Sequence, residues 1–145
     1  MIYKIFQKIK KILLKYNLSI HILSKTYVLY NNIVRKKKIN IWKNENYWIH
    51  ETSNGLIPYL HPLFNPEKYA AENFEIFFTH YTPKENDIIL ELGSGIGNET
   101  LFISKLIGDN GKIYCMEPFE SIFKLLKKTT EINNLKNVQL INKAL

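Results

Sequence analysis

The chain has 145 residues, 46% of them hydrophobic and 23% charged, with a net charge of +7 and a single cysteine. This length allows one ordinary domain, which buries roughly 70% of its unfolded surface, and the composition excludes an intrinsically disordered chain. No apolar stretch reaches the roughly 18–20 residues of a membrane-spanning helix, and lysines interrupt the apolar positions expected of a signal peptide. Cys115 cannot form an internal disulfide bond, so we predict a cytoplasmic protein.

The positive charge is concentrated at the N-terminus, because residues 1–50 hold 11 Lys/Arg and one Glu, whereas residues 51–145 hold nine Lys and 12 Asp/Glu. Residues 2–16 place apolar side chains at three- and four-residue spacing with lysines between them, which predicts an amphipathic helix. Two interpretations stay open: the helix packs on its own protein, or it makes peripheral contact with an anionic membrane surface.

A weaker helical pattern covers roughly residues 18–34, and a basic run follows at residues 35–38. Such a run is typical of a solvated turn, although it also suits phosphates or anionic lipid. A nucleic-acid reader has aromatic and basic residues interleaved on one surface, and Trp42, Tyr47 and Trp48 follow this run. We treat residues 1–39 as a basic helical segment and do not predict a nucleic-acid partner as the first interpretation. A non-catalytic binder of an anionic membrane or nucleic-acid surface, through this basic segment, remains an alternative function.

Residues 40–82 are predicted to form a small cap of a hairpin and a helix. The Asn54-Gly55 pair between residues 47–51 and 56–60 is a two-residue hairpin signal. The sequence at residues 65–67, Asn-Pro-Glu, begins a helix that is predicted to run to about Tyr81 and to end before Pro83.

From residue 83 onwards, strands and helices alternate. Strands are predicted near residues 87–92, 112–117 and 138–142, with helices near 97–107 and 119–134. This alternation implies parallel strands joined by right-handed crossovers. The predicted fold class is α/β, a Rossmann-like doubly wound parallel sheet whose first three strands have the order 3-2-1 and which an N-terminal helical and hairpin region precedes. Residues 83–145 would be the first half of that domain.

Residues 91–97, Glu-Leu-Gly-Ser-Gly-Ile-Gly, join the first of these strands to its helix and are called the glycine loop here. Gly93, Gly95 and Gly97 permit a sharp turn and close approach of a ligand to the backbone. Glu117 ends the second strand twenty residues later, which indicates a nucleotide-containing cofactor. An NAD-binding oxidoreductase module is the alternative. A dinucleotide fingerprint has its third glycine one residue further on, where this chain has Asn98, and this difference argues against NAD.

The pattern E-x-G-x-G-x-G resembles motif I of class I S-adenosylmethionine-dependent methyltransferases. Residues 83–145 resemble the start of the catalytic domain of the FkbM-type methyltransferase family. The features that carry this resemblance are the following: Pro83, Asp87, the glycine loop, the turn at Gly108 to Gly111, Glu117-Pro118 and Asn137-Val138. The resemblance implies S-adenosyl-L-methionine as cofactor and O-methylation of a sugar or another small-molecule hydroxyl, so the expected partner is a small-molecule or glycan acceptor.

The resemblance also implies roles for individual residues. Glu117 would accept hydrogen bonds from the ribose hydroxyls, and the three glycines with Ser94 between them would line the methionine portion. Glu91 would either lie near the cofactor's amino group or orient the loop. Phe119 would pack either on the adenine or in the core. For each residue the two roles stay open. The following residues would cap the helix or contact the cofactor: Asn98, Glu99 and Thr100.

The first strand is apolar between its ends, which is typical of a strand with neighbours on both sides. In the order 3-2-1 it would form an exposed hydrophobic edge. We therefore hypothesise that the chain is an N-terminal fragment carrying the cofactor-binding half of a methyltransferase, and we expect it to be inactive alone. No residue is assigned as a catalytic base, and no metal site is predicted, because the four histidines and Cys115 lack metal-ligand spacing.

Overall fold

A computed structural model describes residues 20–34, 39–62 and 76–144, together with Lys8 and Ile12. The elements in chain order are α1 (Ile20–Val34), β1 (Asn40–Asn44), β2 (Tyr47–Thr52), β3 (Gly55–Tyr59), β4 (Ile88–Leu92), α2 (Asn98–Ile107), β5 (Lys112–Met116), α3 (Glu120–Ile132) and β6 (Val138–Ile141). Lys8 and Ile12 are helical. The rest of the predicted helix at residues 2–16 and the basic run at 35–38 lie outside the described residues. No described helix has both the length and the apolar character that crossing a membrane requires.

The parallel sheet has the strand order β4-β5-β6, which confirms the predicted order 3-2-1. Its strands and helices end within two residues of the predicted positions. Burial alternates along β5, because Ile113 and Cys115 point to one face of the sheet and are fully buried there. Helices α2 and α3 cover that face, and the residues at the centre of this core are Ile103, Ile107, Ile113, Cys115 and Leu126.

The other face of the parallel sheet carries exposed apolar side chains. Ile88, Leu90 and Leu92 on β4 are 74%, 57% and 55% exposed. Within the described residues β4 pairs with β5 alone, so its second edge has no partner strand there. This is the exposed hydrophobic edge expected for the order 3-2-1.

The antiparallel sheet consists of β1, β2 and β3 in that order. It confirms the predicted hairpin and adds β1 as a third strand. The turn lies one residue earlier than predicted, at Ser53 and Asn54, because Gly55 already pairs with Thr52. The Thr52 hydroxyl accepts a hydrogen bond from the Asn54 amide at 3.1 Å and donates one to the Gly55 carbonyl at 2.8 Å. These side-chain bonds favour the earlier turn.

The predicted helix that begins near residue 66 lies largely outside the described residues, but its predicted end at Tyr81 is wrong. Ile76 and Phe77 are helical, and the chain turns from Phe78 onwards. Phe78 packs against the core beside Phe102, with ring centroids 6.0 Å apart. Tyr81 is exposed instead and donates its hydroxyl to Asp87 Oδ2 at 2.7 Å. That bond and the one from the Lys84 amide lower the pKa of Asp87, mainly through the amide.

Asn133 and Tyr59 join the two sheets. The Asn133 side chain donates to the Leu56 carbonyl at 2.6 Å and accepts from the Leu56 amide at 2.8 Å, as a neighbouring strand would. The Tyr59 hydroxyl donates to Asn98 Oδ1 at 3.1 Å. Strand β3 is therefore attached to the end of α3 and to the beginning of α2.

Helix α1 packs on the antiparallel sheet, where the His21 and Trp48 rings lie 4.9 Å apart. His50 on β2 is only 2% exposed, and its ring meets that of Tyr59 edge to face at 4.8 Å. Burial lowers the pKa of His50 to about 4. The imidazole is therefore neutral at physiological pH.

This buried imidazole predicts a loss of stability in acid. Below pH 6.5 the unfolded chain binds a proton at His50 that the folded chain does not bind until about pH 4. Lowering the pH from 7 to 4.5 should thus cost roughly 2–3 kcal/mol of unfolding free energy through this group. Urea denaturation at both pH values measures it. His50→Gln should remove this part of the pH dependence, whereas the same change at the exposed His80 controls for loss of a histidine. Equal pH dependence in wild type and His50→Gln would contradict the account.

Candidate cofactor site

The glycine loop and Glu117 lie side by side at the carboxyl ends of β4 and β5. These strands are parallel neighbours, with Leu92 paired to Met116, so the segments that follow them meet. The Gly93 and Ser94 amides donate to the Met116 carbonyl at 2.8 and 3.0 Å. The structure thus brings together the loop and the acidic residue that the sequence places twenty residues apart.

Gly93 and Gly95 form the open side of the loop. Both have left-handed backbone angles, with φ of +72° and +56°. A Cβ atom at either position would meet no other atom within 4 Å. A ligand can therefore approach the backbone here without a side chain in the way.

Gly97 serves a different purpose from the other two glycines. Its φ is +89°, and a Cβ atom there would lie 2.9 Å from Leu126 Cδ1 and 3.2 Å from Thr129 Cγ2. The Thr129 hydroxyl also donates to the Ile96 carbonyl at 2.6 Å. Although the sequence predicts that Gly97 lines the ligand, the structure shows that its missing side chain lets the loop pack against α3.

Glu117 is the acceptor group of the site. It is only 5% exposed, and its two carboxylate oxygens accept from the Gly95 amide at 3.1 Å and the Phe119 amide at 2.9 Å. Each carboxylate oxygen has a second lone pair and so retains capacity for a further donor. The carboxylate therefore connects the glycine loop with the start of α3.

Phe119 precedes α3 and is 70% exposed. The interpretation that this ring packs in the core is therefore wrong. The ring instead offers an apolar surface beside Glu117, since the Phe119 amide is bonded to that carboxylate. An exposed aromatic ring at this place is suited to stacking on a heterocyclic base.

The Glu91 carboxyl group points into the protein. Its Oε2 accepts from the Thr100 hydroxyl at 2.6 Å and from Cys115 Sγ at 3.3 Å. Burial raises the pKa of the Glu91 carboxyl, and it also raises the pKa of the Cys115 thiol, which the nearby carboxylate raises further. Of the two predicted roles for Glu91, these contacts support orientation of the loop. Cys115 is buried and carries a free thiol.

The residue at the N-cap position of α2 is Gly97, which has no side chain to cap the helix. Asn98 Oδ1 accepts from Tyr59, and the Thr100 hydroxyl donates to Glu91. Ser94, which the sequence places among the ligand-lining residues, is buried and donates its hydroxyl to the Glu91 carbonyl at 3.2 Å. All three side chains hold the loop in place.

The residues on the open side fit a nucleoside that carries an amino acid. Glu117 offers acceptors for hydroxyl groups, Phe119 offers an apolar ring, and the α2 N-terminus has the positive end of its helix dipole for a carboxylate. Among the described residues there is no group of three His, Cys, Asp or Glu that would hold a metal ion. Sequence reasoning missed Tyr59, Thr129 and Asn133, which support the loop from other elements.

Comparison with known proteins agrees with this architecture. No protein-family model matches the chain. Among curated proteins, the protein-L-isoaspartate O-methyltransferase of Thermosipho melanesiensis is 34% identical over 58 residues, which make up 40% of this chain and 29% of that enzyme.

Two solved structures are similar in fold. The structure of M. jannaschii TYW2 in complex with AdoMet matches with a TM-score of 0.53 and 19% identity, over 70% of this chain and 45% of that one. The structure of wild-type Trm5b from Pyrococcus abyssi matches with a TM-score of 0.52 and 16% identity, over 68% and 28%. The chain thus spans less than half the length of each of these three proteins. It has the α/β Rossmann-like methyltransferase fold, with an N-terminal helix and a parallel sheet.

The different surroundings of the glycines predict different costs of substitution. Gly97→Ala should lower the unfolding free energy by roughly 2–5 kcal/mol, since the left-handed backbone and the crowding by Leu126 both oppose a Cβ atom. Gly93→Ala should lower the unfolding free energy by only about 1–2 kcal/mol, since the left-handed backbone opposes a Cβ atom there but no neighbouring atom does. Urea denaturation of both variants measures the difference. Equal losses would show that Gly97 is not packed against α3.

Proposed function

We propose that this chain carries the cofactor-binding half of an S-adenosylmethionine-dependent methyltransferase. The observation that carries this proposal is the nearly buried carboxylate of Glu117 bonded to the Gly95 amide of an open glycine loop. A carboxylate accepts hydrogen bonds and donates none, which suits the two hydroxyls of a ribose. The likeness in fold to the AdoMet complex of TYW2 supports the choice of cofactor.

Within this proposal, Glu117 holds the ribose, Phe119 packs on the adenine, and Gly93 and Gly95 lie along the methionine portion. Glu91, Ser94 and Gly97 act indirectly, because their contacts with the surrounding protein hold the loop. The cofactor supplies a methyl group on a sulfonium, which a nucleophile can accept by in-line displacement. The protein contributes position and a matched electrostatic environment.

We further propose an oxygen acceptor, as in the FkbM-type family that residues 83–145 resemble. The curated relative from Thermosipho melanesiensis is by name an O-methyltransferase, which supports oxygen as the accepting atom. The hydroxyl of a sugar or of another small molecule is the proposed substrate, by analogy with that family. The proposed division into segments 1–39, 40–82 and 83–145 assigns cofactor binding to the third.

An NAD-binding module is the competing proposal for the same site. In a dinucleotide fingerprint the third glycine, which would stand at position 98, allows close packing of the helix. Here Asn98 occupies that position and bonds to Tyr59, while Gly97 provides the close approach to α3. These contacts favour S-adenosylmethionine over NAD.

Calorimetric titration of the full-length protein with S-adenosylmethionine and with NAD tests the proposal. We expect binding of S-adenosylmethionine alone. Glu117→Ala should cost roughly 1.5–3 kcal/mol of cofactor affinity, because hydrogen bonds to a charged group are lost. Glu120→Ala is the matched control, since that glutamate is exposed and pairs with Lys124 at 3.3 Å. NAD binding without S-adenosylmethionine binding would reverse the proposal, and unchanged affinity in Glu117→Ala would remove Glu117 from the site.

A further inference from the structure

The hydrogen bond between Tyr59 and Asn98 connects the antiparallel sheet with the cofactor site. It spans 39 residues of sequence and joins the last residue of β3 to the first residue of α2. Asn98 directly follows Gly97, the end of the glycine loop, and is nearly buried. The Tyr59 hydroxyl therefore contacts the residue that directly follows the glycine loop.

Tyr59 is held in place by strand pairing and by a ring contact. It is paired with Trp48 in the register of β2 and β3, and its ring meets the buried His50 ring edge to face at 4.8 Å. The same strand is fixed to α3 by the two hydrogen bonds between Leu56 and Asn133. The hydroxyl of Tyr59 is thus presented to Asn98 from a sheet that is itself anchored to the neighbouring helix.

The bond also orients the Asn98 amide. A tyrosine hydroxyl that donates to Oδ1 makes the oxygen the end that faces Tyr59 and leaves the NH₂ group as the donor end. Asn98 lies at the N-terminus of α2, where the free backbone amides and the helix dipole also favour negative charge. Fixed donors at this place suit the carboxylate of an amino acid.

We propose that Tyr59 is a positioning residue that, through Asn98, tunes the site for the amino-acid end of its ligand. This inference rests on the proposed function, in which the loop and the start of α2 face methionine while Glu117 and Phe119 face adenosine. Tyr59 then affects one end of the cofactor only. Residues 40–62 thus help to position the site, although the glycine loop begins about thirty residues later in the sequence.

Two ligands that differ at this end provide the test. S-adenosylhomocysteine carries the amino acid, and 5′-methylthioadenosine lacks it. In the full-length protein Tyr59→Phe should weaken S-adenosylhomocysteine by about 3- to 10-fold, as for one lost hydrogen bond, and change methylthioadenosine less than about twofold. A variant that merely loosened the fold would weaken both ligands equally, so the ratio of the two affinities distinguishes positioning from general destabilisation.

Tyr81→Phe is the matched control, because it also removes a tyrosine hydroxyl bond, at the opposite end of β4. It should leave both affinities unchanged. Asn98→Ala should show the same selectivity with at least as large a loss, because it removes the NH₂ donor as well as the contact with Tyr59. The double variant should lose no more than Asn98→Ala alone, since the effect of Tyr59 acts through Asn98. Should Tyr59→Phe fail to fold, Asn98→Ala gives the decisive ratio.

Three results would overturn the inference. Unchanged affinity in Tyr59→Phe would contradict the positioning role, and so would an equal loss of affinity for both ligands. In either case, binding by the wild-type protein would still support the proposed function. Wild-type protein that binds neither ligand would contradict both.

Discussion

The fold around the candidate site depends on one nearly buried carboxylate. Glu117 accepts hydrogen bonds from the Gly95 and Phe119 amides and so joins the glycine loop to the start of α3. A charge that is 5% exposed is costly without such partners, and the two amides provide them. Gly95 can present its amide in this direction because its left-handed backbone conformation is readily available to glycine. The same group is therefore a structural link, and in the proposed function it is also the acceptor for a ligand's hydroxyls.

Helix α3 and the residue that follows it hold both the glycine loop and strand β3 in place. Thr129 bonds to the Ile96 carbonyl, Leu126 fills the space beside Gly97, and Asn133 attaches β3. These residues lie three or four positions apart, on one face of the helix. The open side of the loop and the packed side are thereby separated: ligand approach is possible at Gly93 and Gly95, whereas Gly97 is closed by the helix. The antiparallel sheet then completes the support through Tyr59 and Asn98.

The sequence was sufficient to predict what depends on local pattern. Apolar runs separated by Gly, Asp and Asn predicted the parallel strands and their helices, and the spacing of the glycines and Glu117 predicted which residues would meet. The position of the hairpin turn was missed by one residue, because the Thr52 hydroxyl stabilises the earlier turn. The Tyr59 hydroxyl bonds to the Asn98 side chain across 39 residues, and the Asn133 side chain bonds to the backbone of Leu56 across 77 residues. No periodic pattern in the sequence marks such pairs. The sequence also could not distinguish the role of Gly97 from the roles of Gly93 and Gly95. The residues that surround Gly97 belong to α3, which is distant in the sequence.

The dual role of Glu117 is tested most directly by the backbone amide resonances of isotope-labelled full-length protein during titration with S-adenosylmethionine. Both amides that donate to Glu117, those of Gly95 and Phe119, should shift together and saturate with the same dissociation constant, because a ligand's hydroxyls would bond to the same carboxylate oxygens. The amides of Asp109 and Asn110, in the turn before the amino end of β5 and thus opposite the site, should stay in place. Resonances of Gly95 and Phe119 that remain unchanged at saturating S-adenosylmethionine would contradict the account.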